Sequence, residues 1–269
     1  KSYRYALEEG TSKDVTIDAK TGAISLPRDS FQNSYTKAAG SLSLAGSKKL
    51  DGKTLEAGEF NFEVTGTGLT SAVKASNTAE GEVNFGQIAS WNGVEDKTFT
   101  FEVGEVNDGK KGYTYDGTKY TVKVKATFDN AAKSYRYALE EGTSKDVTID
   151  AATGAISLPR DSFQNKYTKA AGSLSLVGSK TLAGKTLEAG EFNFEVTGTG
   201  LATAVKASNT ADGKVDFGQI ASWNGVEDKT FTFEVGEVND GKKGYTYDGT
   251  KYTVKVKATF DNAAKSYRY

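Results

Sequence analysis

Apolar and polar residues alternate with a period of two along most of this chain. Phe60, Phe62 and Val64 are interleaved with Asn61 and Glu63, and Val83 and Phe85 with Glu82 and Asn84. Tyr120, Val122, Val124, Ala126 and Phe128 alternate with Thr121, Lys123, Lys125 and Thr127, while Tyr3, Tyr5 and Leu7, and then Val15 and Ile17, share further faces. Successive side chains of a strand point to opposite faces, so this pattern predicts half-buried strands. Turn-forming residues separate the runs at Asp18–Gly22, Asn107–Gly109, Asp116–Gly117 and Asp129–Asn130. No amphipathic helix longer than about a turn stands out. The pattern predicts an all-β protein of antiparallel β-sandwich type. In such a fold most Tyr and Phe side chains are core rather than a stacking platform for bases or sugars.

The pattern also repeats. KSYRYALEEGTSKDVTIDA occupies 1–19 and returns at 133–151, and KSYRY opens again at 265. Between 1–132 and 133–264 only ten positions differ: Lys20/Ala152, Ser34/Lys166, Ala45/Val177, Lys49/Thr181, Asp51/Ala183, Thr70/Ala202, Ser71/Thr203, Glu80/Asp212, Glu82/Lys214 and Asn84/Asp216. A unit this long is a whole domain, not a solenoid repeat, so the chain reads as a stretch of tandem array. Most of the ten sites alternate with core positions and are therefore expected at the surface.

Composition narrows the chemistry. The 269 residues include no Cys, His or Met, and 34 basic side chains are balanced by 35 acidic ones for a net charge of −1. Disulfides, thiol nucleophiles, His general bases and thiolate or imidazole metal sites are excluded. No cofactor is expected. Clustered positive charge for nucleic acid is lacking, and no apolar run is long enough for a membrane span. The first residue is Lys and no signal peptide is recognisable, so the chain reads as a piece of something longer.

Three polar residues fall in the apolar phase of their strands. In SLSLAGSKKL, Lys48 shares a face with Leu42, Leu44 and Leu50, whereas Lys49 points away. In TFTFEVGEV, Glu105 lies in phase with Phe99, Phe101 and Val103, whereas Glu102 faces water. In FQNKY, Asn165 is in phase with Phe163 and Tyr167. The other copies are Lys180, Glu237 and, one period earlier, Asn33. Taken singly, such residues snorkel or bond loop amides. Together they aim an amine, a carboxyl group and a carboxamide at one apolar interior. Burial favours the neutral amine and the neutral acid. The amine can then attack the Asn carbonyl with the Glu shuttling protons, giving an isopeptide bond and ammonia. Strand phase alone does not place the three side chains in contact.

The ordered segments GSKKLDGKTLEAGEFNFEV, AEGEVNFGQI, TFTFEVGEV, GYTYDGTKYTVKV and FQNKY resemble the streptococcal pilin isopeptide-linkage domain of Gram-positive pilins and cell-wall surface proteins. The resemblance spans roughly 41–167. It implies tandem Ig-like, CnaB-like antiparallel sandwiches, with Lys48 as the bond-forming amine, Glu105 as catalyst and Asn165 as acceptor. Lys180, Glu237 and Asn33 take the same roles in the neighbouring units. The segment from Phe128 to Phe163 is longer and more charged than the family pattern. On this resemblance, residues 1–40 are the C-terminal part of a preceding repeat, 41–172 a complete repeat, and 173–269 a repeat lacking its closing strand. The linker falls near Thr168–Gly172, and Leu158–Pro159 reads as a strand-end turn.

The implied function is mechanical and not enzymatic: a stalk in an extracellular, cell-wall-anchored adhesin or fibre, whose partners are neighbouring identical repeats. The rival class is a module gripping a host protein or glycan through loop aromatics, with Trp91 and Trp223 as contacts and repetition giving avidity. A hydrolase with paired carboxylates has no discriminating motif, and VNDGKKGYTYDG lacks calcium-loop spacing. The mismatched ends further suggest head-to-tail strand exchange between molecules, sealed by Lys180 and Asn33.

Overall fold

A computed structural model describes every residue of the chain, 1–269. None is helical. The N-terminal tail carries one small hairpin, β1 (Thr16–Ile17) and β2 (Ile24–Ser25). The next eleven strands are β3 (Ala38–Asp51), β4 (Asn61–Gly66), β5 (Val73–Ser76), β6 (Glu82–Gly93), β7 (Lys97–Glu105), β8 (Tyr113–Thr114), β9 (Lys119–Asp129), β10 (Ser134–Leu139), β11 (Thr148–Ile149), β12 (Ala155–Ser157) and β13 (Phe163–Tyr167). The rest of the chain holds β14 (Ala170–Ser179), β15 (Asn193–Gly198), β16 (Val205–Ser208), β17 (Lys214–Gly225), β18 (Lys229–Val238), β19 (Lys251–Asp261) and β20 (Ser266–Arg268).

In the first unit one sheet has the order β10-β9-β7-β4-β5. The other is built on the long strand β3, with β6 along one edge and β12 and β13 in line along the other. Alternation on both inner faces fills a single core: Leu42, Leu44, Phe62, Val64, Val83, Phe101, Val103, Val122 and Val124 are all sealed from solvent. Ile156, Leu158 and Phe163 complete it from the returning chain.

The sandwich departs from antiparallel pairing at one edge. β12 and β13 run parallel to β3, with Ile156 opposite Leu44 and Phe163 opposite Lys48. Parallel neighbours need a long connection, and over a hundred residues separate these strands. The longer, charged segment after Phe128 supplies the return: β10 extends the first sheet beside β9, and the β11–β12 hairpin carries the chain across to β3. A turn at 158–162, with Asp161 in the left-handed region, separates β12 from β13 and is tied to β3 through Ser47 and Ser162.

All ten differing positions are exposed in both copies, as their phase requires. The expected five-residue linker is shorter. The strand resumes at Ala170 because Ala170 pairs with Gly225 and packs on Val226, Phe260 and Tyr267. Only Thr168 and Lys169 connect β13 to β14.

The junction between the units is built of specific contacts. Tyr167 packs against the cluster of Ala170, Val226, Ala258, Phe260 and Tyr267. Lys111 pairs with Asp228 at 2.7 Å, and the Gly112 N–H donates to Asn262 Oδ1 at 2.8 Å. Lys265 Nζ donates to the Tyr113 carbonyl at 2.8 Å. Gly112 has φ +88°, and a Cβ there would sit 2.6 Å from Tyr167 and 2.8 Å from Val226, so the fit demands glycine.

The second unit repeats the sheet order as β16-β15-β18-β19-β20, with β14 paired to β17. Nothing corresponding to β12 and β13 lies along β14. Leu174, Leu176, Phe194, Val235 and Val254, whose counterparts in the first unit are fully buried, are therefore only partly covered.

Candidate functional site

Lys48 lies near the end of β3, Glu105 is the last residue of β7, and Asn165 is the third residue of β13. Each points inward on its own alternation, and the sandwich brings the three together. Lys48 Nζ is 2.8 Å from Glu105 Oε1 and 2.9 Å from Oε2, with both side chains wholly shielded from water. Asn165 Nδ2 donates to Glu105 Oε1 at 2.7 Å. The carboxyl group thus bridges amine and carboxamide. The Asn165 carbonyl oxygen accepts the backbone N–H of Asp116 at 2.7 Å.

The walls are aromatic. Lys48 Nζ sits 4.5 Å above the Phe60 ring and 5.9 Å from that of Phe62, which packs in turn on Phe163. Phe60 is fixed by Asn77, a buried residue that accepts the Phe60 N–H and donates to the carbonyls of Glu56 and Thr78. In this dry box desolvation dominates: it pushes the Lys48 amine below its ordinary value and the Glu105 carboxyl above its own, and the attraction between them offsets this only in part. Both shifts favour a neutral amine beside a neutral acid. That pair is competent for acyl transfer, with the amine as nucleophile, the carboxyl as proton carrier and the Asp116 N–H as donor to the developing oxyanion.

Sequence phase singled out the three side chains but not this donor. Asp116 was legible only as part of a turn, Asp116–Gly117. Its own carboxylate shapes the turn by accepting the N–H groups of Thr118 at 2.9 Å and Gln164 at 2.8 Å. The aromatic floor was likewise visible only as core periodicity.

The second unit holds half a site. Lys180 Nζ is 2.8 Å from Glu237 Oε1 and 4.3 Å above the Phe192 ring. No carboxamide faces them. Instead the Asp248 N–H, counterpart of the Asp116 donor, bonds Glu237 Oε2 at 3.1 Å. Asn33 lies in the exposed N-terminal tail.

Trp91 and Trp223 are packing residues. The Trp91 indole covers Gly40, where a Cβ would lie 2.2 Å from the ring, and it meets Phe99, Tyr135 and Tyr137. Trp223 repeats this on Gly172, Phe231 and Tyr267. No group of side chains is arranged to hold a metal ion, and no helix is long and apolar enough to cross a membrane.

This fold and buried triad define an isopeptide-type domain of the pilin class. The family model described as FctA, the Spy0128-like isopeptide containing domain, matches residues 44–168 and 176–267, and the chain belongs to that family. The family is structural and not enzymatic. Among solved structures, the chain is similar to the major pilin protein (T-13) from Streptococcus pyogenes, at 17% identity over 83% of this chain and 93% of that one, with a TM-score of 0.31. It is also similar to a C-terminal fragment of the pilus adhesin SpaC from Lactobacillus rhamnosus GG, at 13% identity over 80% and 82% of the two chains, with a TM-score of 0.26. The Bacillus anthracis TIE protein matches at 13% identity over 82% of this chain with a TM-score of 0.27, and the chain spans only 32% of its length. No curated protein matches.

Proposed function

We propose that the chain is a stalk segment of a bacterial surface adhesin or pilus-like fibre, extracellular and anchored to the cell wall through its parent protein, and that its repeats are tied by self-formed Lys–Asn isopeptide bonds. The carrying observation is the dry contact of Lys48, Glu105 and Asn165, drawn from the first, a middle and the closing strand. Neutral Lys48 Nζ attacks Asn165 Cγ and a C–N bond forms. The original amide C–N bond breaks, and its nitrogen leaves as ammonia with a proton passed from the amine through Glu105. Residues 41–172 act as the complete repeat, 1–40 as the C-terminal part of a preceding one, and 173–269 as a repeat without its closing strand.

The position of the bond suits tension. Load enters at Ala38, crosses from Lys48 to Asn165, and leaves through Ala170 into the next repeat. Everything between 48 and 165 is removed from the load path. The stiff two-residue junction, clamped by Asn262 and Lys265, then passes force and orientation onward.

Single-molecule pulling on the whole chain tests this. An untied first repeat would release the stretch between Lys48 and Asn165, which lie 117 residues apart, a length gain of about 400 Å. The tied repeat releases none, whereas Lys48→Met restores the step. The full step in the unsubstituted protein would overturn the proposal.

A further inference from the structure

The loop that carries the Asp116 donor is held from two sides, and one of them belongs to the other unit. Residues 107–118 contain a single short strand, β8, whose strand partner is β13: Tyr113 lies opposite Tyr167 and Thr114 opposite Lys166. Further along the same loop, the Asp116 N–H donates to the Asn165 carbonyl oxygen at 2.7 Å. The first unit anchors the loop mainly through Tyr113. Its hydroxyl donates to Glu59 and accepts Lys53 Nζ at 3.2 Å, and its ring packs on Phe60 and Tyr167.

The second unit grips the backbone just before the donor. Asn262 Oδ1 accepts the Gly112 N–H at 2.8 Å, and Lys265 Nζ donates to the Tyr113 carbonyl at 2.8 Å. Lys265 Nζ also donates to Asn262 Oδ1 at 2.9 Å, so the two side chains brace each other. Lys111 adds its ion pair with Asp228 at 2.7 Å. The turn that presents this pair is rigid: Asp261 caps the N–H groups of Ala263 and Ala264, and Lys265 takes the left-handed conformation at φ +51°. The equivalent turn of the first unit keeps the same pairing, with Lys133 Nζ donating to Asn130 at 2.7 Å. The Asn–Lys contact is therefore intrinsic to the turn, and at 262–265 it is aimed at the loop of another unit.

We propose that Asn262 and Lys265 are positioning residues for bond formation in the unit that precedes theirs. By fixing Gly112 and Tyr113 they hold the Asp116 N–H on the Asn165 carbonyl, so the bond from Lys48 Nζ to Asn165 Cγ forms fastest, with loss of ammonia, once the following unit has folded and docked. The proposal rests on the isopeptide chemistry of the preceding section. A donor to an oxyanion works because its dipole is in place before the charge develops. A loop free to shift by about an ångström forfeits much of that advantage. Covalent closure of one repeat and docking of the next thus become a coupled event, and a repeat is tied most readily when its neighbour is already there to carry load onward.

The test follows bond formation in the full-length chain made by cell-free synthesis, with samples quenched in acid at intervals and their intact mass read for the loss of one ammonia. Asn262→Ala removes the acceptor of Gly112 and of Lys265 together and should slow the loss about tenfold, less than the hundredfold or more expected for deleting an oxyanion donor outright. Asn262→Asp keeps the acceptor oxygen and should restore the rate. Asn130→Ala breaks the same turn contact away from the junction and should leave the rate unchanged. Lys265→Met, which releases only the Tyr113 carbonyl, is the second variant should Asn262→Ala disturb the folding of its own unit. Equal rates in the unsubstituted chain and in both junction variants overturn the proposal while leaving the isopeptide reading in place, as does a slowing that Asn262→Asp fails to rescue. An unsubstituted chain that never loses ammonia overturns the isopeptide reading and this proposal with it.

Discussion

Replacing Lys48 by Met removes the nucleophile while keeping an unbranched apolar stem over Phe60 and Phe62. Glu105, relieved of its counter-ion, keeps the Asn165 hydrogen bond and is stable as the neutral acid. The principal loss is therefore the cross-link. Positions 48 and 165 lie 117 residues apart, and closing a loop of that size is worth about 5 kcal/mol on the chain-entropy model. For a unit of this length that is a fall of roughly 15–20 °C in Tm. The two units should melt separately in calorimetry, the closed one higher, so only the upper transition should move. Lys180→Met is the internal control: an isolated molecule has no bond there, and both transitions should stay within a few degrees. An upper transition that moves no more than this control, in protein whose parent carries the bond, would refute the entropic reasoning.

Three further outcomes follow from the packing. Gly40→Ala drives a Cβ into the Trp91 indole and should destabilise the first unit by about 1–3 kcal/mol, read as a lower upper transition. Asp116→Asn should cost about 1–2 kcal/mol at neutral pH, measured in the Lys48→Met background so that the bond does not mask it. Burial alone would raise the Asp116 carboxyl, but the hydrogen bonds from Thr118 and Gln164 outweigh it and hold the group low. Its contribution is therefore full above the ordinary carboxylate range near pH 4 and is lost as pH falls through the lower folded value, so the two proteins should converge in acid. Finally, Asn262→Ala with Lys265→Ala removes two of the polar contacts at the junction and should broaden the distribution of inter-unit angles in small-angle scattering; an unchanged profile would mean that the Lys111–Asp228 ion pair, with Tyr167 and its apolar neighbours, holds the angle without them.

Much of this arrangement was legible because β-structure writes burial into every second residue. Lys48, Glu105 and Asn165 stood out as polar residues in apolar phase, and Lys49 and Glu102 as their solvent-facing neighbours. Phase does not say which strands meet. The parallel run of β12 and β13 along β3 depends on which edge remains free after β6 has paired, a property of the assembled sheet. The Asp116 donor was hidden for a related reason: it is a backbone N–H, present at nearly every residue, and only tertiary placement distinguishes it. The short junction was misjudged because Ala170–Gly172 looks like a small-residue linker, whereas Ala170 is small because Val226 and Tyr267 crowd it and Gly172 because Trp223 does.

The intact mass of the folded, full-length monomer tests the central claim most directly. A self-formed Lys48–Asn165 bond makes the protein lighter than its sequence by the mass of one ammonia, and both Lys48→Met and Glu105→Ala restore the sequence mass. A folded parent protein at its full sequence mass would contradict the account.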